Sequence, residues 1–132
     1  MNHLSRQNGI KGIPNNNLCP SVGGSKTPTG CVATAMAQIM KYHNHPVSGI
    51  GQSEAYTTWS GISVPPVDFE INYDWATMLD SYYGGENQQQ QEAVATLMYH
   101  CGASIKMDYN TDGSGAYNYN MIVALIYNFG YN

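Results

Sequence analysis

From residue 31 to about residue 44 the chain runs without Gly or Pro and Ala recurs. Val32, Met36, Ile39, Met40 and His43 fall there at helical spacing, which predicts a helix with that stripe facing inward. Thr29 stands where an N-cap belongs, and Pro46 lies just past the expected end. A second amphipathic run extends from about residue 86 to residue 101, with Val94, Leu97, Met98 and Cys101 on one side and Gly102 as its stop; the Gln run that opens it reads as a solvated first turn. A shorter helix fits residues 75 to 82, where Trp75, Met78, Leu79 and Tyr82 share a face, Asp74 caps the start and Gly84-Gly85 closes it. A last helix fits residues 117 to 128, with Met121, Ile122, Leu125 and Ile126 inward and Gly130 at its end.

The remaining segments break these periods. Ile105, Met107 and Tyr109 alternate with polar neighbours as in a short strand, and residues 110 to 115 read as a loop. Residues 48 to 68, with Gly49, Gly51, Gly61 and Pro65-Pro66, suggest a long excursion with at most short strands. Residues 1 to 30 carry Gly9, Gly12, Pro14, three consecutive Asn, Pro20, Gly23, Gly24, Pro28 and Gly30, too many turn formers for regular elements. The expected organisation is a loop-rich leader over 1–30 followed by a mainly helical unit over 31–132, α+β in class, with no internal repeat.

Length and charge narrow the functions open to such a chain. At 132 residues it is one domain with enough mass for a core. Charged residues make up 11% of the chain, the net charge is −4, and Lys11, Lys26 and Lys41 stand apart, so nothing marks a surface for nucleic acid or an anionic membrane. Abundant Tyr, Asn, Gly and Gln suit an extracellular surface. No run of eighteen apolar residues is present, and the first seven residues lack the apolar stretch of a signal peptide, so any targeting segment is expected to lie outside this sequence.

Three cysteines, Cys19, Cys31 and Cys101, leave at least one thiol unpaired within the chain. Their spacing lacks the close pairs of a zinc site, so no metal and no cofactor is expected. Cys31 is the candidate nucleophile because Thr27-Pro28-Thr29-Gly30 delivers it to the start of the Ala-rich helix. Unpaired N–H groups and the positive end of the helix dipole favour a thiolate there, and the same N–H groups can donate to a developing oxyanion. The competing reading is a structural cysteine buried at a helix start.

The stretch Thr29-Gly30-Cys31-Val32-Ala33-Thr34-Ala35-Met36-Ala37-Gln38-Ile39-Met40-Lys41-Tyr42-His43-Asn44-His45-Pro46 resembles the nucleophile segment of the streptopain family of papain-like cysteine peptidases. Further matches follow in order: Asn16-Asn17-Leu18-Cys19-Pro20 upstream, Tyr73-Asp74-Trp75 with Met78-Leu79, Met107-Asp108-Tyr109 with Gly113-Ser114-Gly115-Ala116, and Asn128-Phe129-Gly130-Tyr131. The resemblance implies a secreted or cell-surface enzyme, made as a zymogen, in which a helical lobe presents the cysteine and a β-rich lobe the histidine. It implies Cys31 as nucleophile, Ser114 as a residue holding substrate backbone, Cys19 and Cys101 as packed thiols, and a protein or peptide as substrate.

Two departures from that pattern shape the expectation. The family's catalytic histidine lies downstream of the Phe-Gly-Tyr segment, so the β-rich lobe is expected to be largely missing and the histidine to come from a missing C-terminal lobe or a second chain. His43 is twelve residues along the helix from Cys31, roughly 18 Å away at 1.5 Å per residue, and His3, His45 and His100 are no better placed. Upstream, Lys11 stands where relatives carry the Gln that completes the oxyanion hole. The isolated chain is therefore expected to be inactive or nearly so, with exposed apolar faces that favour self-association or a partner. The alternative is a truncated or decayed homologue that acts as a binding module without catalysis.

Overall fold

A computed structural model describes residues 14–79, 82 and 84–132. In chain order the elements are β1 (Ser21–Val22), β2 (Ser25–Lys26), α1 (Cys31–His43), β3 (Tyr56–Thr57), β4 (Ser63–Val64), α2 (Gln88–Ser104) and α3 (Asn118–Tyr127). The strands form two antiparallel hairpins, β1 with β2 and β3 with β4. The core lies between α1 and α2: Met36 and Met40 share one buried cluster with Val94, Leu97, Met98 and Cys101, and the Cys101 thiol donates to the Met40 sulfur at 3.6 Å.

The long helices form where the sequence places them, with differences in detail. On α1 the buried positions are Val32, Ala33, Thr34, Met36, Ala37 and Met40, whereas Ile39 and His43 face outward. Close approach to α2 selects small Ala33 and Ala37 over bulkier neighbours. The N-cap is Gly30 rather than Thr29, which turns inward and is fully buried. The helix ends at Asn44, in the left-handed conformation at φ 47°, with Lys41 and His43 favourably placed in the last turn.

Asn87 starts α2 with a reciprocal cap: its side-chain oxygen accepts from the Gln90 N–H at 2.8 Å, and the Gln90 side chain accepts from the Asn87 N–H at 3.0 Å. Replacing Asn87→Ala is expected to cost about 1 kcal/mol, read as a shift of the urea midpoint at unchanged slope; an unshifted midpoint would show the cap to be idle. Gly102 does not stop α2. It lies within the last turn because the Tyr109 hydroxyl occupies the space a Cβ would need.

Three other expectations give way to tertiary ties. Residues 75–77 make only a turn, in which the Asp74 carboxylate accepts from the Thr77 N–H at 3.3 Å. There the Trp75 indole N–H reaches back to the Pro46 carbonyl at 2.6 Å. Ile105, Met107 and Tyr109 are buried as alternation requires, but among the described residues the only pairing beside them is the bridge between Asp108 and Gly115. On α3, Ala124 is buried and Met121 and Leu125 are half-buried, while Ile122 and Ile126 are exposed. The 14–30 segment also carries more order than its turn formers suggest: it holds the β1–β2 hairpin and sends Cys19 into the core.

Candidate active site

Gly30 fixes where Cys31 sits. Its φ of 92° and ψ of 147° belong to a backbone region that side chains rarely tolerate. A Cβ there would stand 2.8 Å from the Met107 methyl, 2.9 Å from its sulfur and 2.9 Å from the Ser114 carbonyl oxygen. The glycine thus lets the segment entering α1 lie directly against Met107 and the Ser114 loop. The Gly30 carbonyl accepts from both the N–H and the hydroxyl of Thr34, at 3.1 and 2.8 Å.

Cys31 follows as the first residue of α1 and is exposed. The N-cap has no side chain to bond the first-turn donors, so the N–H groups of Cys31, Val32 and Ala33 lack an intrahelical acceptor. Their alignment places positive potential at the start of the helix, beside Cys31, where an oxygen carrying negative charge could be held. The other two thiols are differently placed. Cys19 and Cys101 are buried. Burial pushes Cys19 up to about 11, against the weaker opposing pull of the Thr29 and Tyr109 hydroxyls beside it and of Lys26. Burial alone raises Cys101 further.

Ser114 is buried, and its carbonyl lies against Gly30, immediately before Cys31. Its loop is closed by paired bonds between Asp108 and Gly115, at 2.9 and 3.2 Å, and its hydroxyl accepts from the Asn110 N–H at 3.2 Å. The hydroxyl therefore shapes the loop. Behind it, the Tyr56 hydroxyl donates to the Met107 carbonyl at 2.7 Å, so β3 braces the same wall. Gly30, Met107 and Tyr56 set the position of Cys31 and the Ser114 loop relative to one another through contacts that spacing does not single out, although Gly30 and Met107 fall inside quoted motifs.

The described histidines serve elsewhere. His43 lies at the far end of α1, edge-on to Tyr42. His45 packs edge-on against Tyr131, with ring centroids 4.7 Å apart. His100 is buried beside Phe69 and Tyr73, and the Tyr73 hydroxyl lies 2.8 Å from its Nδ1. Lys11 and His3 lie outside the described residues. Among the described residues, no three or more His, Cys, Asp or Glu side chains gather as they would around a metal ion.

Residues 11–132 match the Peptidase C10 family. The chain belongs to that family. Streptopain of Streptococcus pyogenes is 38% identical over 118 residues, a match that covers 83% of this chain and 29% of streptopain. The thiol protease/hemagglutinin PrtT of Porphyromonas gingivalis is 31% identical over 110 residues, covering 82% of this chain and 13% of that protein. Among solved structures, active interpain A cysteine protease of Prevotella intermedia superposes with a TM-score of 0.80 at 40% identity, over 89% of this chain and 50% of its own. A prointerpain A fragment from the same organism gives 0.81 at 39% identity. The chain thus spans less than a third of the curated relatives it matches, and its α+β fold is that of the papain-like interpain A peptidases.

Proposed function

We propose that Cys31 is the nucleophile of a cysteine endopeptidase acting on protein or peptide substrates, secreted or held at the cell surface. One observation carries the reading: in a C10-family chain, the exposed thiol among the three is the one at the open start of α1, against the Ser114 loop. The Cys31 thiolate attacks the scissile carbonyl carbon and a C–S bond forms. Negative charge moves to the carbonyl oxygen, where the first-turn N–H groups of α1 can receive it. Collapse of this intermediate breaks the C–N bond, and the amine leaves with a proton from a general acid. Water then hydrolyses the thioester and restores the thiolate.

The general acid and base in this scheme is a histidine from outside the described residues. Cys31, Ala35, Ile39 and Tyr42 form a partly open stripe along α1, at spacings of four, four and three, and a histidine-bearing lobe or second chain laid on that stripe would meet the thiol at its end. Without that group the described residues support substrate binding and thiolate attack on an activated carbon, but little turnover. Ser114 enters as a binding residue through its loop: the hydroxyl holds the loop shape while main-chain groups of the loop pair with an extended substrate.

A peptide carrying a thiol-reactive carbon tests the proposal. At neutral pH, Cys31 is expected to be labelled more than tenfold faster than Cys19 or Cys101, as resolved by peptide mapping, because burial suppresses the other thiols. Equal, slow labelling of all three would favour the binding-module reading instead.

A further inference from the structure

We infer that Trp59 forms a distal subsite of the proposed active site, taking an apolar side chain of the bound peptide several residues from the scissile bond. The inference rests on the peptidase reading above and adds a specificity-determining residue to it.

Trp59 is 97% exposed, on the turn between β3 and β4. An indole so open adds almost nothing to the core, yet the turn that carries it is firmly held. The Thr58 N–H donates to the Ile62 carbonyl at 2.9 Å, the Ile62 N–H donates to the Thr58 hydroxyl at 3.0 Å, and the Gly61 N–H donates to the Thr58 carbonyl at 3.0 Å. The ring is thus presented on a fixed support, which lowers the ordering cost of binding against it. Buried on contact, tryptophan is among the residues that contribute most to recognition.

The support is continuous with the nucleophile's surroundings. The Asn110 side-chain amide donates to the Ser60 hydroxyl at 2.9 Å, and the Asn110 backbone N–H donates to the Ser114 hydroxyl at 3.2 Å. At the base of the same hairpin, Tyr56 donates to the Met107 carbonyl. Met107 and Ser114 are the two residues pressed against Gly30, immediately before Cys31. Hydrogen bonds therefore join the hairpin of Trp59 to Met107 and the Ser114 loop, and close packing at Gly30 joins that frame to the segment of Cys31. In the proposed path the peptide, extended at about 3.3 Å per residue with its carbonyl at Cys31, runs along the Ser114 loop towards the hairpin. The open ring face of Trp59 suits an apolar side chain, which gains most from burial against it.

The test compares three probes bearing the same thiol-reactive group: a dipeptide, a hexapeptide with distal Leu residues, and a hexapeptide with distal Glu residues. Cys31 is expected to react about tenfold faster with the Leu hexapeptide than with either of the others. In Trp59→Ala that advantage should shrink to within about twofold, with the dipeptide rate unchanged. An advantage that survives Trp59→Ala, or equal rates for the Leu and Glu probes, overturns the subsite. A binding readout separates this outcome from failure of the chemistry: in Cys31→Ala, the Leu hexapeptide without its reactive group should blue-shift the Trp59 emission, with Trp59→Phe as reference for the buried Trp75. No shift on titration overturns the subsite even if Cys31 labels well. A shift that follows protein concentration without peptide assigns the ring to contact between copies and also overturns it. If Cys31 resists every probe while the emission still shifts, the nucleophile reading falls and the peptide-binding surface stands.

Discussion

Gly30→Ala should cost about 2 to 4 kcal/mol of stability and slow peptide-directed labelling of Cys31 by about a hundredfold. The added methyl meets two obstacles of different kinds. Met107 is a flexible side chain and can yield, but the Ser114 carbonyl is backbone in a loop closed by the Asp108–Gly115 bonds. The φ of 92° adds strain of its own, because an L-residue with a side chain avoids that region. Relief requires the segment before α1 to move away from the loop, which displaces the sulfur from the proposed substrate site. Urea unfolding gives the first quantity, and labelling under conditions where the variant is folded gives the second. Labelling within threefold of the parent would show that Gly30 does not position Cys31. Cys31→Ser is the control, expected to keep its unfolding midpoint and lose the labelling.

Acid should weaken the fold through His100. Burial pushes this imidazole down to about 4, with Asp68 acting weakly in the opposite direction. In the unfolded chain a histidine titrates near 6.5. Between these values the unfolded state holds a proton that the folded state refuses, so stability rises with pH through this window. The full contribution is present above about pH 6.5, declines as pH falls toward 4 and changes little below it. The span amounts to about 3 kcal/mol. The Tyr73 hydroxyl, 2.8 Å from Nδ1, and the flanking Phe69 ring suit a neutral imidazole. Urea midpoints between pH 7 and pH 4 should fall steeply for the parent and less for His100→Gln, so that the difference between the curves isolates this residue. Parallel curves would mean that the histidine charges without penalty in the folded protein.

The helices were readable because runs free of Gly and Pro, flanked by turn formers, admit few other structures. Their facing was less so. Hydropathy favours Ile39 over Ala33 and Ala37, but the approach of α1 to α2 decides the matter by size, and the small residues go inside. Thr29 has the chemistry of an N-cap, yet the Cys19 and Tyr109 neighbourhood draws it inward. The helix expected after Asp74 dissolves into a turn whose Trp75 bonds a carbonyl twenty-nine residues earlier, a tie that no local pattern encodes. Cys31 stood out because a Gly- and Pro-rich stretch gives way to an Ala-rich one at that residue. Ser114 came only through family resemblance, since its contact with Gly30 joins segments far apart in sequence. The bracing of Met107 by Tyr56, fifty-one residues away, is equally silent in the pattern.

The unequal burial of the three sulfurs also supplies an internal gauge of local opening. With Cys31 blocked, a chromogenic disulfide added to the native protein should find nothing to exchange with until a segment lifts. Cys19 would then report release of the β1–β2 segment, and Cys101, held against Met40, would report parting of α1 from α2. Exchange rates at the two sites would rank the cohesion of these regions without any engineered tag, and would reveal whether the amino-terminal turns come away before the helices part.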